Sequence, residues 1–419
     1  VHTQISVRES EQAAVNSFPT LWKNRQYNLL LMAFTLSLFG NSFHNIALNL
    51  WILTKTGSAK MMTVVLVTNL VISSLLGPIA GTVADRFNRR KIMLISNLNR
   101  CGFVLIAAFC ISVPNIPIFI IVILTGLVTA IGLFHSPAFH ASLVNIVGKE
   151  HIQRAVGLMN ISENISRIVG FAVGGIFVTA FGGVWAIIFD GLTFLISFAL
   201  IFIAGSFPTP TYKESEKKKF NEDLITGFRY IWKDPFAKAV TILSPVLALF
   251  FMSSLMLTQV MAVKVWNADP FQFGLIESSI PMGYMLGAGI IVVFGSKLIK
   301  RGKFVIINLL LMGPGYIFLS FSSSVLVAIP IILLIGFMFS FCTMLINIIL
   351  RLEVSEELQG RVFGILGSLM SVAPSLGLGL ASYFADLYGS DSVMFVIGCM
   401  LLVFGGISSI WLKNIREYN

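Results

Sequence analysis

Charge is what this chain has least of. Only 11% of its 419 residues are Asp, Glu, Lys or Arg, against about a quarter in an ordinary soluble domain. Hydrophobic residues make up 56% and the mean hydropathy is +0.88, which excludes a soluble body of this size. Cysteine is scarce too. Cys101, Cys110, Cys342 and Cys399 all fall inside apolar runs without Cys-x-x-Cys spacing. That excludes a disulfide framework or a cysteine metal centre and leaves them as small buried hydrophobes. The five histidines do not converge: His2 precedes the apolar region, and His44, His135, His140 and His151 are scattered. The five-residue step from His135 to His140 turns them to different helix faces. A membrane-embedded enzyme would need convergent acids, bases or metal ligands, so no catalytic residue, cofactor or metal is expected. Residues 1–22 mix charges with polar side chains, so no cleavable leader is expected.

What the chain does have is long apolar runs. About 20 residues cross the hydrocarbon, and the runs give twelve spans near 26–53, 59–84, 92–113, 116–146, 152–180, 183–205, 237–264, 271–297, 303–321, 325–350, 358–387 and 391–412. An even number puts both termini on one side. Of the 29 Lys and Arg, Lys55, Lys60 and Lys264 fall in connections on the other side and Arg100 and Arg167 fall inside spans; the rest share the side of the N-terminus and the 85–91 loop. Cytoplasmic loops carry the positive excess, so a multi-pass plasma-membrane protein with both termini cytoplasmic is expected. The net charge of +10 is then topological and faces anionic lipid headgroups, not nucleic acid.

The outer connections are too short to fold a receptor or catalytic domain. The longest connection, 206–236, divides the chain into a tail (1–25), a six-span unit (26–205), a second six-span unit (237–412) and a closing tail (413–419). Within it, Lys217-Lys218-Lys219 precedes Leu224, Ile225, Phe228, Ile231 and Trp232, which share one face at helical spacing. That pattern predicts a helix lying along the inner membrane surface.

Between spans 2 and 3 stands Gly77-Pro-Ile-Ala-Gly81-Thr-Val-Ala-Asp85-Arg86-Phe-Asn-Arg89-Arg90-Lys91. Its small residues suit close helix approach; an acid then sits at the membrane surface, followed by cations. The spacing Gly81-x-x-x-Asp85-Arg86-x-x-Arg89-Arg90 resembles the loop between spans 2 and 3 of the major facilitator superfamily, with Asn88 where the family often has Gly. The resemblance implies an all-α membrane protein of twelve helices in two pseudo-symmetric six-helix bundles. An internal repeat agrees with it. Glu150-x-x-x-Arg154-x-x-Gly157 before span 5 recurs as Glu357-x-x-x-Arg361-x-x-Gly364 before span 11, and the same register maps Gly170 onto Gly377. The second copy of the loop, Gly295-Ser-Lys-Leu-Ile-Lys300-Arg301, keeps the charge and loses the Asp.

Polar groups inside the spans are the functional candidates. Span 1 carries Ser37, Asn41, Asn45 and Asn49 at steps of four, with His44 beside them. Facing lipid would be costly, so they either line a central cavity, as first spans of the superfamily do, or hydrogen-bond between helices. Glu163 and Arg167 of span 5 are an i,i+4 pair, and Glu163 lies about 17 Å deep, near the midplane of a core about 30 Å thick. A carboxylate there is paired, protonated or wet, so the pair is either a proton carrier or a fixed structural ion pair. Arg100 has no partner near it in sequence. Asp190, Glu277 and Asp386, nearer the outer ends of their spans, read as caps or outer-gate contacts.

Span 5 continues Gly170-Phe-Ala-Val-Gly174-Gly175, similar to the Gly-Pro-x-x-Gly-Gly signature of the superfamily's antiporters with Phe171 in place of Pro. Span 4 has no charge from Leu124 to Gly132, where many proton-coupled drug exporters carry an Arg. Leu53-Thr-Lys-Thr-Gly57 closing span 1 and Phe134-His135-Ser-Pro137-Ala138 in span 4 are similar to the twelve-span branch containing macrolide and siderophore exporters. The expectation is therefore a monomeric secondary exporter of an amphiphilic small molecule, exchanging it for protons by alternating access. Asp85, among Arg86, Arg89 and Arg90, would latch the cytoplasmic side, with Glu150, Glu356 and Glu357 as candidate partners for those arginines. The many Phe and Met would supply a deformable apolar lining. An importer of a small metabolite is the rival on the same fold; a channel lacks a ring-forming selectivity segment.

Overall fold

Within hydrocarbon a backbone must satisfy its own polar groups, so each apolar run has one solution, a helix. The computed structural model describes residues 21–206, 228–294, 300–354 and 356–411. Twelve helices among them are long and apolar enough to cross a membrane. They are α1 (Arg25–Thr56), α2 (Ala59–Arg86), α3 (Arg89–Ser112), α4 (Ile118–Gly148), α5 (Glu150–Phe181), α6 (Gly183–Ile203), α7 (Pro235–Lys264), α8 (Pro270–Phe294), α9 (Arg301–Ser320), α10 (Val325–Glu353), α11 (Glu356–Tyr388) and α12 (Ser390–Trp411). The expected spans match these to within a few residues. The main difference is at α4 and α5, which run on as one rod broken only at Gly148 (φ 76, ψ 165), a left-handed position that favours glycine.

Local chemistry sets the ends. Asn24, Asn88 and Asp234 cap α1, α3 and α7 by accepting from Tyr27 N, Lys91 N and Ala237 N at 3.1, 3.1 and 2.7 Å. Asn88, the departure from the family pattern, is thus the cap that starts α3. Residues 228–233 are helical, as the linker pattern predicts, with Ile231 buried against the protein and Phe228 and Trp232 exposed. Leu224, Ile225 and residues 217–219 lie outside the described residues, as do 295–299, 1–20 and 412–419. Cys101, Cys110 and Cys342 are buried and unpaired.

The two halves repeat one packing scheme. In the first, α1 packs on α5 and α6, and α3 on α6; in the second, α7 packs on α11 and α12, and α9 on α12. The repeat is visible at single residues. A Cβ on Gly170 would lie 2.8 Å from Ser42 Oγ of α1, and one on Gly377 would lie 2.7 Å from Ser253 Oγ of α7. Each glycine seats the fifth helix of its half against a serine of the first. The turn between α2 and α3 and the start of α7 lie on one face of the body, the basic face; the α1–α2 and α11–α12 turns lie on the opposite, far face.

Candidate functional site

The halves are joined at the far face. Asp386, near the end of α11, caps α2 of the other half: its carboxylate accepts from Ser58 Oγ at 2.9 Å, Ala59 N at 3.0 Å and Lys60 N at 3.4 Å. The Lys60 ammonium lies 4.9 Å from the Tyr383 ring centroid. Also toward the far face, α5 and α8 meet backbone to backbone. A Cβ on Gly175 would stand 2.6 Å from Pro270 O and 3.1 Å from Gly274 Cα, so only glycine permits the seam. Gly170 and Gly174 turn the other way, against Ser42 and Phe43 of α1.

The basic face differs. Gly77 and Gly81 were expected to bring helices together, yet a Cβ on either would meet nothing within 4 Å; the same holds for Gly364 and Gly367 at the basic end of α11. The side-chain hydrogen bonds of Asp386 join the halves at the opposite end. Two cations of the turn bond to backbone carbonyls. Arg89 donates to Ala84 O at 3.3 Å and Ala141 O at 2.8 Å, and Arg90 to Phe202 O at 2.8 Å, with its guanidinium 5.3 Å from the Phe202 ring. Ala84 and Phe202 lie in the last turns of α2 and α6, where carbonyls lack an i+4 helical donor. Arg86 and Glu150 are exposed; the side chains of Asp85, Glu356 and Glu357 lie outside the described residues.

The polar row of α1 divides. A step of four residues overshoots a full turn by about 40°, so three steps rotate the row by about 120°. Ser37 Oγ sits 2.7 Å from Ser197 Oγ of α6, and Asn41 Oδ1 accepts from Arg100 Nη2 of α3 at 3.4 Å. Asn45 is exposed and Asn49 half-buried. The first two hydrogen-bond between helices.

His44, beside the row, meets Asp190 of α6 with Nδ1 and Oδ2 3.1 Å apart, an ion-pair contact without hydrogen-bond alignment. Asp190 is 1% exposed. Gly40 makes room for it, since a Cβ there would lie 2.8 Å from Asp190 Oδ1. The Arg100 guanidinium stacks 3.9 Å from the Phe194 centroid and lies against Gly132 of α4, where a Cβ would be 3.6 Å from its Cζ. A cation therefore reaches the α4 surface, delivered by α3. Asp190 is no end cap: it stands seven residues, about 10 Å, inside α6. Charge accounting could have found this cluster, because a buried Arg100 requires an acid and Asp190 was the uncommitted one in that half.

Glu163 and Arg167 form the expected pair at 3.1 Å, with side chains 36% and 54% exposed. His135 and His140 flank one ring, Phe139, at 5.9 and 5.8 Å. A cavity of about 190 Å³ opens in the second half between α7, α10 and α11, lined by Phe339, Phe363, Met370, Thr343 and Asn347 among others. This is smaller than the 300–1,000 Å³ of a typical small-molecule site, so it can hold one part of a large ligand. Its position in the second half was not foreseen.

Comparison with known proteins agrees with this architecture. The family model described as Major Facilitator Superfamily matches residues 30–377 and 262–418. Macrolide efflux protein A of Streptococcus pyogenes is 24% identical over 390 residues, covering 92% of this chain and 93% of that protein. Enterobactin exporter EntS of Citrobacter koseri is 20% identical over 357 residues, covering 81% and 80%. Among solved structures, a bacterial homologue of the human lysosomal transporter Spinster, inward-facing and occupied, superposes with a TM-score of 0.75 at 11% identity, covering 95% of this chain and 98% of that one. That likeness speaks to the fold alone.

Proposed function

Since the chain belongs to the Major Facilitator Superfamily, and is thus a transporter rather than an enzyme, we propose that it exports an amphiphilic small organic molecule in exchange for protons by alternating access. The observation that carries this reading is the one-sided joining of the halves, sealed at Asp386 and Gly175 and apart at Gly81 and Gly364. The relatives that export a macrolide and enterobactin support the direction and the substrate class.

On this reading the basic face and both termini are cytoplasmic, the protein works as a monomer among membrane lipids, and the units 26–205 and 237–412 rock about a central site. Asp85 with Arg86, Arg89 and Arg90 latches the basic face when it closes. Asn45 and Asn49 border the central space, Ser37, Asn41 and His44 hold its wall, and Glu163 with Arg167 carries the proton. Inverted membrane vesicles test the proposal: a macrolide or dye should accumulate when the interior is made acidic. Accumulation driven only by the opposite gradient identifies an importer. Asp85→Asn should abolish transport with insertion intact; retained rates count against the latch.

A further inference from the structure

Charge inside the membrane body does not balance. Well within the described spans lie three acids, Glu163, Asp190 and Glu277, against two arginines, Arg100 and Arg167. Arg167 holds Glu163 at 3.1 Å. Asp190 has His44 at 3.1 Å and lies within the field of Arg100. Glu277 is left over. Its Oε1 is buried with no hydrogen-bond partner, and among the described residues no Lys, Arg or His stands within ion-pair distance. Its polar neighbour is Gln259 of α7, whose own Oε1 is also buried and unpartnered.

Its position suits a ligand site. Pro270, Phe271 and Gly274 make the seam with Gly175 of α5, and Glu277 follows Gly274 at i+3, on the same side of α8. It stands about 10 Å in from the far-face end of α8, directly beneath the closed seam. Asn49 of α1 lies at about the same depth, and α1 touches both α7 and α8. The surrounding helices bring no charge to compensate it. From α7 comes Gln259, from α1 Asn49 and Asn45, and from α10 Leu333 and Gly336, which pack on α8 near Gly283 and Ile280. On α5, Glu163 and Arg167 lie nearer the basic face and are bonded to each other.

An isolated carboxylate in a membrane body is held by a cation, a proton or water. We propose that Glu277 is the recognition group for a hydrophobic organic cation, and that a proton replaces the cation when the site is empty. This rests on the export reading and adds Glu277 to the Glu163–Arg167 pair as a second protonatable group, for mutually exclusive occupancy of its carboxylate couples cation release to proton uptake. Opening the α5–α8 seam would present the same group to the far side.

The test needs no transport. The purified full-length protein in detergent is titrated with tetraphenylphosphonium, a permanent cation, and binding is followed by calorimetry together with proton release into weak buffer. The wild type should bind saturably, more weakly at acid pH, releasing up to one proton per cation bound. Glu277→Gln should weaken binding about tenfold or more and remove its pH dependence, and Glu277→Asp should retain part of both. Absent saturable binding by the wild type, binding without proton release at any pH, or equal affinity in Glu277→Gln overturns the proposal. Binding with these properties in a protein that fails to export in vesicles upholds the site and removes the export reading instead.

Discussion

Asp386 of α11 caps α2 from the opposite half of the molecule, its carboxylate 2.9 Å from the Ser58 hydroxyl and 3.0 Å from the Ala59 amide. One side chain therefore starts a helix and ties the two bundles. Losing a helix cap costs about 0.5–2 kcal/mol, which in a two-state equilibrium shifts the closed-to-open ratio about 2- to 30-fold. Asp386→Ala should lengthen the distance between spin labels at Lys55→Cys and Tyr388→Cys, read by double electron–electron resonance. Asp386→Asn keeps a carbonyl acceptor and should shift it less. Identical distance distributions in all three proteins would remove Asp386 from the closure.

The same cap fixes the register of the two helices, and a second prediction follows from it. α2 and α11 run antiparallel from this contact, and Gly81 lies as many residues beyond Ala59 as Gly364 lies before Asp386. Both glycines now face open space. If the halves rock, Gly81 and Gly364 should meet when the basic face closes. In a background without the native cysteines, Gly81→Cys with Gly364→Cys should cross-link poorly as the protein stands. Adding Asp386→Ala should raise the yield severalfold, because a disulfide needs Cα atoms about 4.4–6.8 Å apart. Unchanged yield on gel mobility would mean that the far and basic faces do not move as one.

What could be read in the chain before its structure follows from the range of each interaction. Hydrocarbon makes helix placement a local matter of run length, so all twelve spans were legible, and Gly170 and Gly377 revealed the repeat because equivalent helices face equivalent neighbours. The partners of Arg100 were not legible: Asn41, Phe194 and Gly132 come from three other helices, and no spacing rule reaches across them. The row from Ser37 to Asn49 was read as one face where the small angular drift per step, summed, carries it from a packed side to an open one. Gly81 was read as a helix contact, and in this structure it faces open space.

Glu163 and Arg167 are tested by separating stability from transport. Their pair is about one-third to one-half exposed, and such pairs contribute about 0–1 kcal/mol. Glu163→Gln should therefore leave the unfolding temperature in detergent nearly unchanged. If the pair carries the proton, the same variant should flatten the pH dependence of substrate uptake into inverted vesicles. A wild-type pH profile with wild-type stability would leave the pair no coupling role.

The His44–Asp190–Arg100 cluster makes the opposite demand. Asp190 is almost wholly buried, and its neutral replacement by Ala leaves Arg100 with only Asn41 and the Phe194 ring. Asp190 acts on Arg100 through its field and not through an ion-pair contact; leaving a buried charge uncompensated is still destabilising, whereas replacing both charges by apolar groups is often close to neutral. Asp190→Ala should thus lower the unfolding temperature sharply, and Arg100→Met added to it should recover most of the loss. The cycle formed by the two single variants and the double one isolates the pairwise term. Additive losses would mean that Arg100 is held by its ring and amide contacts alone. Recovery would mean that Gly40 and Gly132 are small because the acid and the base they admit must reach each other from different helices.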